Sequence, residues 1–540
     1  LGAELWAYVP YNLLPHLKRL TRTGYRHTYY VDLTPRVFDV QIFDSSPDSC
    51  GHVNGWGTIM VVGMRLGGDR ISAQEIMAEM SWEICPDERV FTSAYMVFDL
   101  SDPEHPPRLL GETTFQALDS ADLGYTTAMP AVVPIKTTES GSDWFLVLGS
   151  GPTHAAGASS QNARICLFPL TELDTGQPFR IPAAASYSHA SAGSFKLTNA
   201  PNGFVSGIAA ADFHMDDLYQ ADVVYFGTIE GNRGDWGGRI YRWVTNQGFP
   251  QSWNNPAVMI DAGRPVTSPP VVGFDGNFHW VYFGTGRFFN GQDKTDPSSN
   301  AQDYFFGLKE PLDAVTGAFT WAPIENRVSA MKPQPGNDAG ARTLLRVDQI
   351  EVEEAFSSST AGLGCKDDAD CLPDGVSSFK DLYRYIVGDC ETLSGCTGTD
   401  GWVHAFVLPR ERNLGHATLL GGLLSFTTYQ PFQDICKPAG QSFFYNLHFQ
   451  TGTAYYASMF DPWNSAAMAG DPDGSPRTVM PCLPIGRGLA ATPRLLAGSQ
   501  QGSKALVQTT AGALIGIAQP NLPIETITSG RINWRSDQKY

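Results

Sequence analysis

The chain is poor in the features on which several common protein classes depend. No apolar run approaches the roughly 18 residues that a membrane-spanning helix needs. Positive charge is scarce, with 37 Lys and Arg against 55 Asp and Glu and a formal net charge of -18. Nucleic acid and anionic membrane both demand concentrated Lys and Arg, so neither is expected as a partner, and divalent cations are the better counter-ions. None of the nine cysteines falls in a CxxC or CxxCH arrangement, which argues against zinc ribbons and covalently attached haem. GxSxG, HExxH and strand-following GxGxxG motifs are missing; nucleophilic, zinc and dinucleotide chemistries therefore lack their usual carriers, and no enzyme is expected. Long helices are disfavoured by 55 Gly and 37 Pro.

What is present is a recurring phrase: a small-Pro or small-Ala step, an apolar run ending in Gly, then an aromatic-rich strand. It reads as Thr34-Pro35-Arg36-Val37 with Ile59-Met60-Val61-Val62-Gly63 and Tyr95-Met96-Val97-Phe98. It returns as Met129-Pro130 with Phe145-Leu146-Val147-Leu148-Gly149, as Ile208-Ala209-Ala210-Ala211 with Val223-Val224-Tyr225-Phe226-Gly227, and as Pro269-Pro270 with Val281-Tyr282-Phe283-Gly284. Weaker copies begin near Leu423 and Thr492. Runs of about 4 to 6 residues rich in Val, Ile, Phe and Tyr, punctuated by Gly, Pro, Asn and Asp, are strands buried on both faces. One such sheet cannot cover itself, so copies must stack and the ring must close. The expected fold is all-β: a single modified β-propeller of about six or seven blades, seven preferred, spanning residues 1–540 with long inserted loops. Glu4-Leu5-Trp6-Ala7-Tyr8-Val9 reads as an aromatic outer strand completing a blade supplied from residues 492–517. Because the chain starts at Leu1, an upstream region or signal peptide is expected outside it.

A cysteine-rich acidic insert lies at about 350–400. Within it Cys365 and Cys371, and Cys390 and Cys396, stand close enough in sequence for local disulfides of an oxidising compartment. Cys436 with Cys482, and Cys50 with Cys85, are longer-range candidates, while Cys166 inside an apolar strand is the expected buried thiol. Asp367, Asp368 and Asp370 with Asp374 read as a solvated acidic face, and Gln292-Asp293-Lys294-Thr295-Asp296 as a turn. Arg233-Gly234-Asp235 sits at a hairpin tip, where it is a candidate adhesion motif, with Trp236 expected to cap the loop.

The order of several phrases resembles the C-terminal β-propeller domain of the PilY/PilC family, adhesins at the tips of bacterial type IV pili. The phrases are Glu4-Leu5-Trp6-Ala7-Tyr8-Val9-Pro10, His27-Thr28-Tyr29-Tyr30-Val31-Asp32, Tyr282-Phe283-Gly284-Thr285-Gly286-Arg287-Phe288, Phe426-Thr427-Thr428-Tyr429-Gln430-Pro431 and Ser529-Gly530-Arg531-Ile532-Asn533-Trp534-Arg535. The resemblance implies a secreted, non-enzymatic protein at the pilus tip or outer cell surface. It would dock on minor pilins, prime pilus biogenesis and twitching motility, and contact host or abiotic surfaces. The family's variable N-terminal region is not in this chain.

The family commonly carries a calcium loop D-x-D-x-D-x-x-x-D, and Asp212-Phe213-His214-Met215-Asp216-Asp217-Leu218-Tyr219-Gln220-Ala221-Asp222 occupies its place. Asp212, Asp216, Asp217 and Asp222 are the candidate calcium ligands. His214 departs from the motif where an oxygen is wanted, since calcium is a hard ion, and Asp222 arrives two residues late. Two other readings are a structural cap of another cell-surface filament and a quinoprotein-like propeller oxidoreductase. The latter rests on Gln450-Thr451-Gly452-Thr453-Ala454-Tyr455, which echoes a quinoprotein docking phrase, but the adjacent cysteine pair of those enzymes is absent.

Overall fold

A computed structural model describes residues 4–519 except for 45–50, 80–88, 116–121, 139–140, 174–176, 180–192, 214–219, 330–343, 367–370, 390–397, 435–439, 461–476, 498–502 and positions 26, 247, 301, 314 and 327. The chain is nearly all-β and separates into two compact units, one holding residues 1–232 and 241–257, the other residues 233–240 and 258–531.

In the first unit the phrases noted above become antiparallel meanders of the kind that form propeller blades. Arg36–Gln41, Trp56–Gly63, Tyr95–Asp99 and Arg108–Thr113 pair in that order, and Gln177–Phe179 adds a parallel edge. Ala131–Thr138, Gly141–Gly149, Arg164–Pro169 and Gly193–Lys196 make a second sheet. Phe204–Ala211 pairs with Val223–Asn232 across a bulge between Val205 and Ile208. The inner strands are buried on both faces, as Tyr95–Asp99 is at every residue, which is why they read as continuous apolar runs rather than alternating ones. Cys166 is the expected buried thiol, and burial pushes it up to about 12.

The N-terminal segment departs from expectation. Residues 4–10 form no strand, and a 3-10 helix follows over Tyr11–Thr21. Pro10 and Pro15 lack the N–H that a ladder uses. The freed amides of Tyr11 and Asn12 go instead to the buried Glu112 carboxylate, at 2.9 and 3.0 Å, joined by the Tyr8 hydroxyl at 2.9 Å.

In the second unit Val271–Phe274, His279–Gly284, Tyr304–Lys309 and Gly401–Ala405 form one antiparallel meander. The stretch between its last two strands contains the cysteine-rich insert and, ahead of it, Leu344–Arg346, which pairs parallel to Gly401–Ala405. Arg412–Asn413, Leu423–Pro431, Gly440–His448 and Cys482–Arg487 make the next sheet, and Arg494–Ala497, Ser503–Gln508 and Leu514–Gln519 another. Within the insert, helix Phe379–Val387 is delimited as its sequence dictates. Ser378 and Asp381 form a capping box, and Gly388 at φ 85° closes the last turn. The Cys365–Cys371 disulfide forms, with Cα atoms 5.7 Å apart, and Asp374 is exposed as a solvated acid should be. Cys482 carries a free thiol, while Cys50, Cys85, Cys390, Cys396 and Cys436 lie outside the described residues.

The core of this unit is a pile of rings. Phe305 stacks on Phe426 at 4.0 Å and Phe426 on Tyr445 at 5.1 Å. The fully buried Trp402 lies between two glycines: a Cβ on Gly307 or on Gly452 would come within 2.3 Å of its ring. Its indole N–H donates to the Phe449 carbonyl at 3.0 Å. The phrase Gln450–Tyr455 thus docks one sheet on the next through an indole seated over a glycine, with no cofactor needed for that role.

Two imidazoles are enclosed here. Burial holds His404 down to about 4 and His448 down to about 3, so both are neutral in the folded protein. The unfolded chain takes up protons on them below about pH 6.5, so their contribution is complete above that pH and is lost as pH falls towards the folded values, by up to about 1.4 kcal/mol per pH unit per histidine. The Glu411 carboxyl, raised by burial, works in the opposite sense. The melting temperature is accordingly expected to fall between pH 7 and pH 5, and more gently in His448→Gln. An equal acid slope in the variant would show that His448 is not one of the groups responsible.

Candidate functional site

The hairpin tip carrying Arg233, Gly234 and Asp235 is anchored from below by Asp296. Asp296 ends the segment expected as a turn, and it is buried rather than solvated. Gly234 adopts φ +91°, a left-handed conformation that suits glycine, and turns its N–H onto the Asp296 carboxylate at 3.2 and 3.3 Å. The Trp236 indole N–H donates to the same carboxylate at 3.2 Å, and the Ser298 amide does so at 2.9 Å. Burial alone would raise Asp296, but the Ser298 hydroxyl and amide, the indole and the Gly234 amide outweigh it and hold the carboxyl below its usual range. Arg233 stands 3.9 Å from Asp296 with its side chain 58% exposed, and Asp235 is exposed beside it. The tip therefore presents one cation and one anion on a backbone fixed from beneath.

The floor of the hairpin is cation on aromatic. The Arg287 guanidinium lies 3.9 Å from the Trp236 ring centroid and pairs with the buried Asp293. Asp293 is itself placed by a capping box with Asn290 at the start of the 3-10 turn Gly291–Lys294, accepting the Phe289 and Asn290 amides at 2.6 and 3.1 Å. The signal for this in the sequence is Asn290 followed three residues on by Asp293, directly after Arg287.

The segment Asp212–Asp222, the candidate calcium loop, lies in the first unit. Its described ends are Asp212 and Asp222, each only 4% exposed; His214, Asp216 and Asp217 lie outside the described residues. The ends are brought together by the ladder, where the Asp222 amide donates to Ala211 O at 2.9 Å and the Phe213 amide to Asp222 Oδ2 at 2.7 Å. Two buried carboxylates at the ends of this segment are hard oxygen donors, the kind calcium prefers. Among the described residues, no group of three or more His, Cys, Asp or Glu is arranged to hold a metal.

No family model matches the chain. A type IV pilus biogenesis factor PilY1 homolog of Xylella fastidiosa is 22% identical over 483 residues, 88% of this chain and 30% of that protein. A second homolog from the same organism is 26% identical over 54% of this chain and 17% of its own length. PilY1 of Pseudomonas aeruginosa is 25% identical over 56% of this chain and 23% of its own length. The chain is PilY1-like. It spans under a third of each of these PilY1 relatives. Among solved structures, a subtype N11 neuraminidase-like protein from a flat-faced bat influenza virus aligns over 86% of this chain and 85% of its own, with TM-score 0.28 and 8% identity. The PQQ-bound aldose sugar dehydrogenase of Streptomyces coelicolor aligns over 72% of this chain and 97% of its own, with TM-score 0.19 and 13% identity. Likeness at this level bears on neither the fold nor the chemistry of the PilY1-like chain. No helix among the described residues is long and apolar enough to cross a membrane.

If Asp296 is the anchor, Asp296→Ala should strand the Gly234 amide and the Trp236 indole together. A loss of about 1 to 3 kcal/mol in stability is expected. Hydrogen exchange of the Gly234 amide should rise with it. An amide equally protected in the variant would refute the anchoring role.

Proposed function

We propose that this chain is the surface-exposed β-domain of a type IV pilus biogenesis factor. In this reading it acts outside the cell, docks on minor pilins at the pilus tip, and contacts surfaces through loops held on its sheets. The observation that carries the proposal is the collinear match of 88% of the chain to a PilY1 homolog. An acidic composition, the Cys365–Cys371 disulfide and an exposed, anchored Arg233-Gly234-Asp235 tip support it. The function is non-enzymatic: the domain works by binding, with the aromatic core serving to keep the loops in place.

Deleting the gene in its own bacterium should reduce surface pili, and the chain in its natural protein should restore them and retain minor pilins in a pull-down. Asp235→Ala should restore pili yet attach less well to surfaces. Unchanged attachment would leave a filament cap without adhesive function as the better description.

Calcium would be held by the carboxylates of Asp212, Asp216, Asp217 and Asp222. The ion would supply a fixed positive centre that gathers the loop; Asp222 also ties the loop's start through the Phe213 amide. At a hundredfold excess over the dissociation constant, calcium should add about 2.7 kcal/mol to stability. A thermal melt with and without chelator reads this directly. Identical melts, also unchanged by Asp212→Ala, would remove calcium from the proposal.

A further inference from the structure

In the first unit the exposed apolar side chains gather in one stretch of chain. Most of the large apolar residues that stand in solvent among the described residues lie between positions 5 and 37, with Leu14 and Leu20 at 50% and 55% and Tyr25 and Tyr29 at 45% each. Scattered singly, such residues need no explanation, whereas a concentration of them marks a surface that meets something else. The stretch also has the opposite charge from the molecule as a whole: residues 5–31 hold Lys18, Arg19, Arg22 and Arg26 and no acid, in a chain of net charge -18.

The stretch is held from within. Tyr8, Leu13 and Tyr30 enter one apolar cluster with Met64, Met96 and Phe98, and the Tyr30 hydroxyl donates to His16 O at 3.3 Å. Because inward residues from three parts of the stretch share that cluster, the outward ones cover a common area of surface. In the 3-10 helix Tyr11–Thr21, Asn12, Leu13 and His16 face in, while Leu14, Leu20 and, just past the helix, Arg22 are exposed and Lys18 is half-buried. Asp69 and Asp32, which reach this face, are already engaged. Asp69 takes Arg19 at 2.9 Å and the Tyr125 hydroxyl at 2.7 Å, and Asp32 takes Arg65 at 2.7 Å.

Charge complementarity gives the sign of the occupant, and screening gives its extent. At physiological salt a charge is felt over about 8 Å. A short acidic segment therefore meets only this basic face, whereas a nucleic-acid duplex or an anionic membrane spreads over the acidic remainder of the molecule and is repelled. Exposed Arg and Tyr are the side chains that protein interfaces favour, and Leu14 and Leu20 are matched by apolar groups in the same segment. We propose that this face docks an acidic segment of a partner protein, one in which Asp or Glu is interspersed with apolar side chains. The inference does not rest on the pilus assignment and stands or falls without it.

The test is selection from a random peptide library displayed on phage, run in parallel on the folded chain and on a variant carrying Lys18→Glu and Arg22→Glu. Peptides enriched on the wild-type chain should be rich in Asp and Glu with apolar residues between them. Synthesised with a dye and titrated by fluorescence anisotropy, these peptides should bind saturably and weaken as salt rises, and should lose about tenfold or more in affinity on the charge-reversed variant. Its melting temperature should stay close to that of the wild type. If it does not fold, Leu14→Ser with Leu20→Ser serves, since that pair keeps every charge and should weaken the same peptides. No enrichment, enriched peptides without an acidic excess, undiminished binding to a folded variant, or displacement of the peptide by duplex DNA or phosphatidylserine vesicles would each overturn the proposal. Self-association of the chain in sedimentation that the same substitutions abolish would overturn it too, because a second copy would then be the occupant.

Discussion

The constraint on which the second unit depends is the seating of one flat ring between two bare backbones. Trp402 can be fully buried only because Gly307 and Gly452 offer no Cβ, and its indole N–H finds the Phe449 carbonyl on the neighbouring sheet. From that fixed plate the stack continues, with Phe305 at 6.3 Å from Trp402 and then Phe426 and Tyr445. Aromatic contacts of this kind add about 0.5 to 1.5 kcal/mol each beyond the area they bury. More important is that they fix the spacing between sheets. Loops leaving the ends of such strands inherit that position.

The same rigidity explains how charged residues survive at the base of the hairpin. Asp293, Asp296, Asp303, Arg264, Arg287 and Arg412 are all largely buried, and buried charges endure only when each is met by opposite charge or well-aimed donors. Here the donors are mostly backbone amides and short side chains set by turns: Phe289, Asn290, Ser298 and Gly234. Their geometry costs little entropy at the moment of contact, because the turns are already formed. A flexible loop could not keep the Arg287 guanidinium 3.9 Å from the Trp236 ring while Asp296 holds the indole nitrogen.

The sheets were legible in the sequence because strands buried on both faces leave uninterrupted apolar runs, as at Tyr95–Phe98 and Val223–Gly227. The Cys365–Cys371 bridge was legible from its short cysteine spacing, whereas the helix Phe379–Val387, with its Ser378–Asp381 capping box, went unread inside an insert taken only as acidic and cysteine-rich. The N-terminal segment misled because its aromatic residues look like strand while Pro10 and the distant Glu112 decide otherwise. The anchor was hidden for a different reason. Gln292–Asp296 has the composition of an exposed turn, and only tertiary contacts with residues some sixty positions away turn its acids inward.

That last failure has a physical logic bearing on how such a surface works. A loop tip meant to meet something else must keep its own charged groups outward, so its support has to come from residues that appear polar and dispensable in sequence. Arg233 and Asp235 are free to face solvent because Gly234 and Trp236, their immediate neighbours, direct their N–H groups down to Asp296. The arrangement is that of the turn: Gly234, in the left-handed region, sends its N–H inward while the side chains on either side of it stay exposed. Exposure of the tip and burial of its anchor are therefore two faces of a single backbone geometry, and a change that loosened one would alter the other.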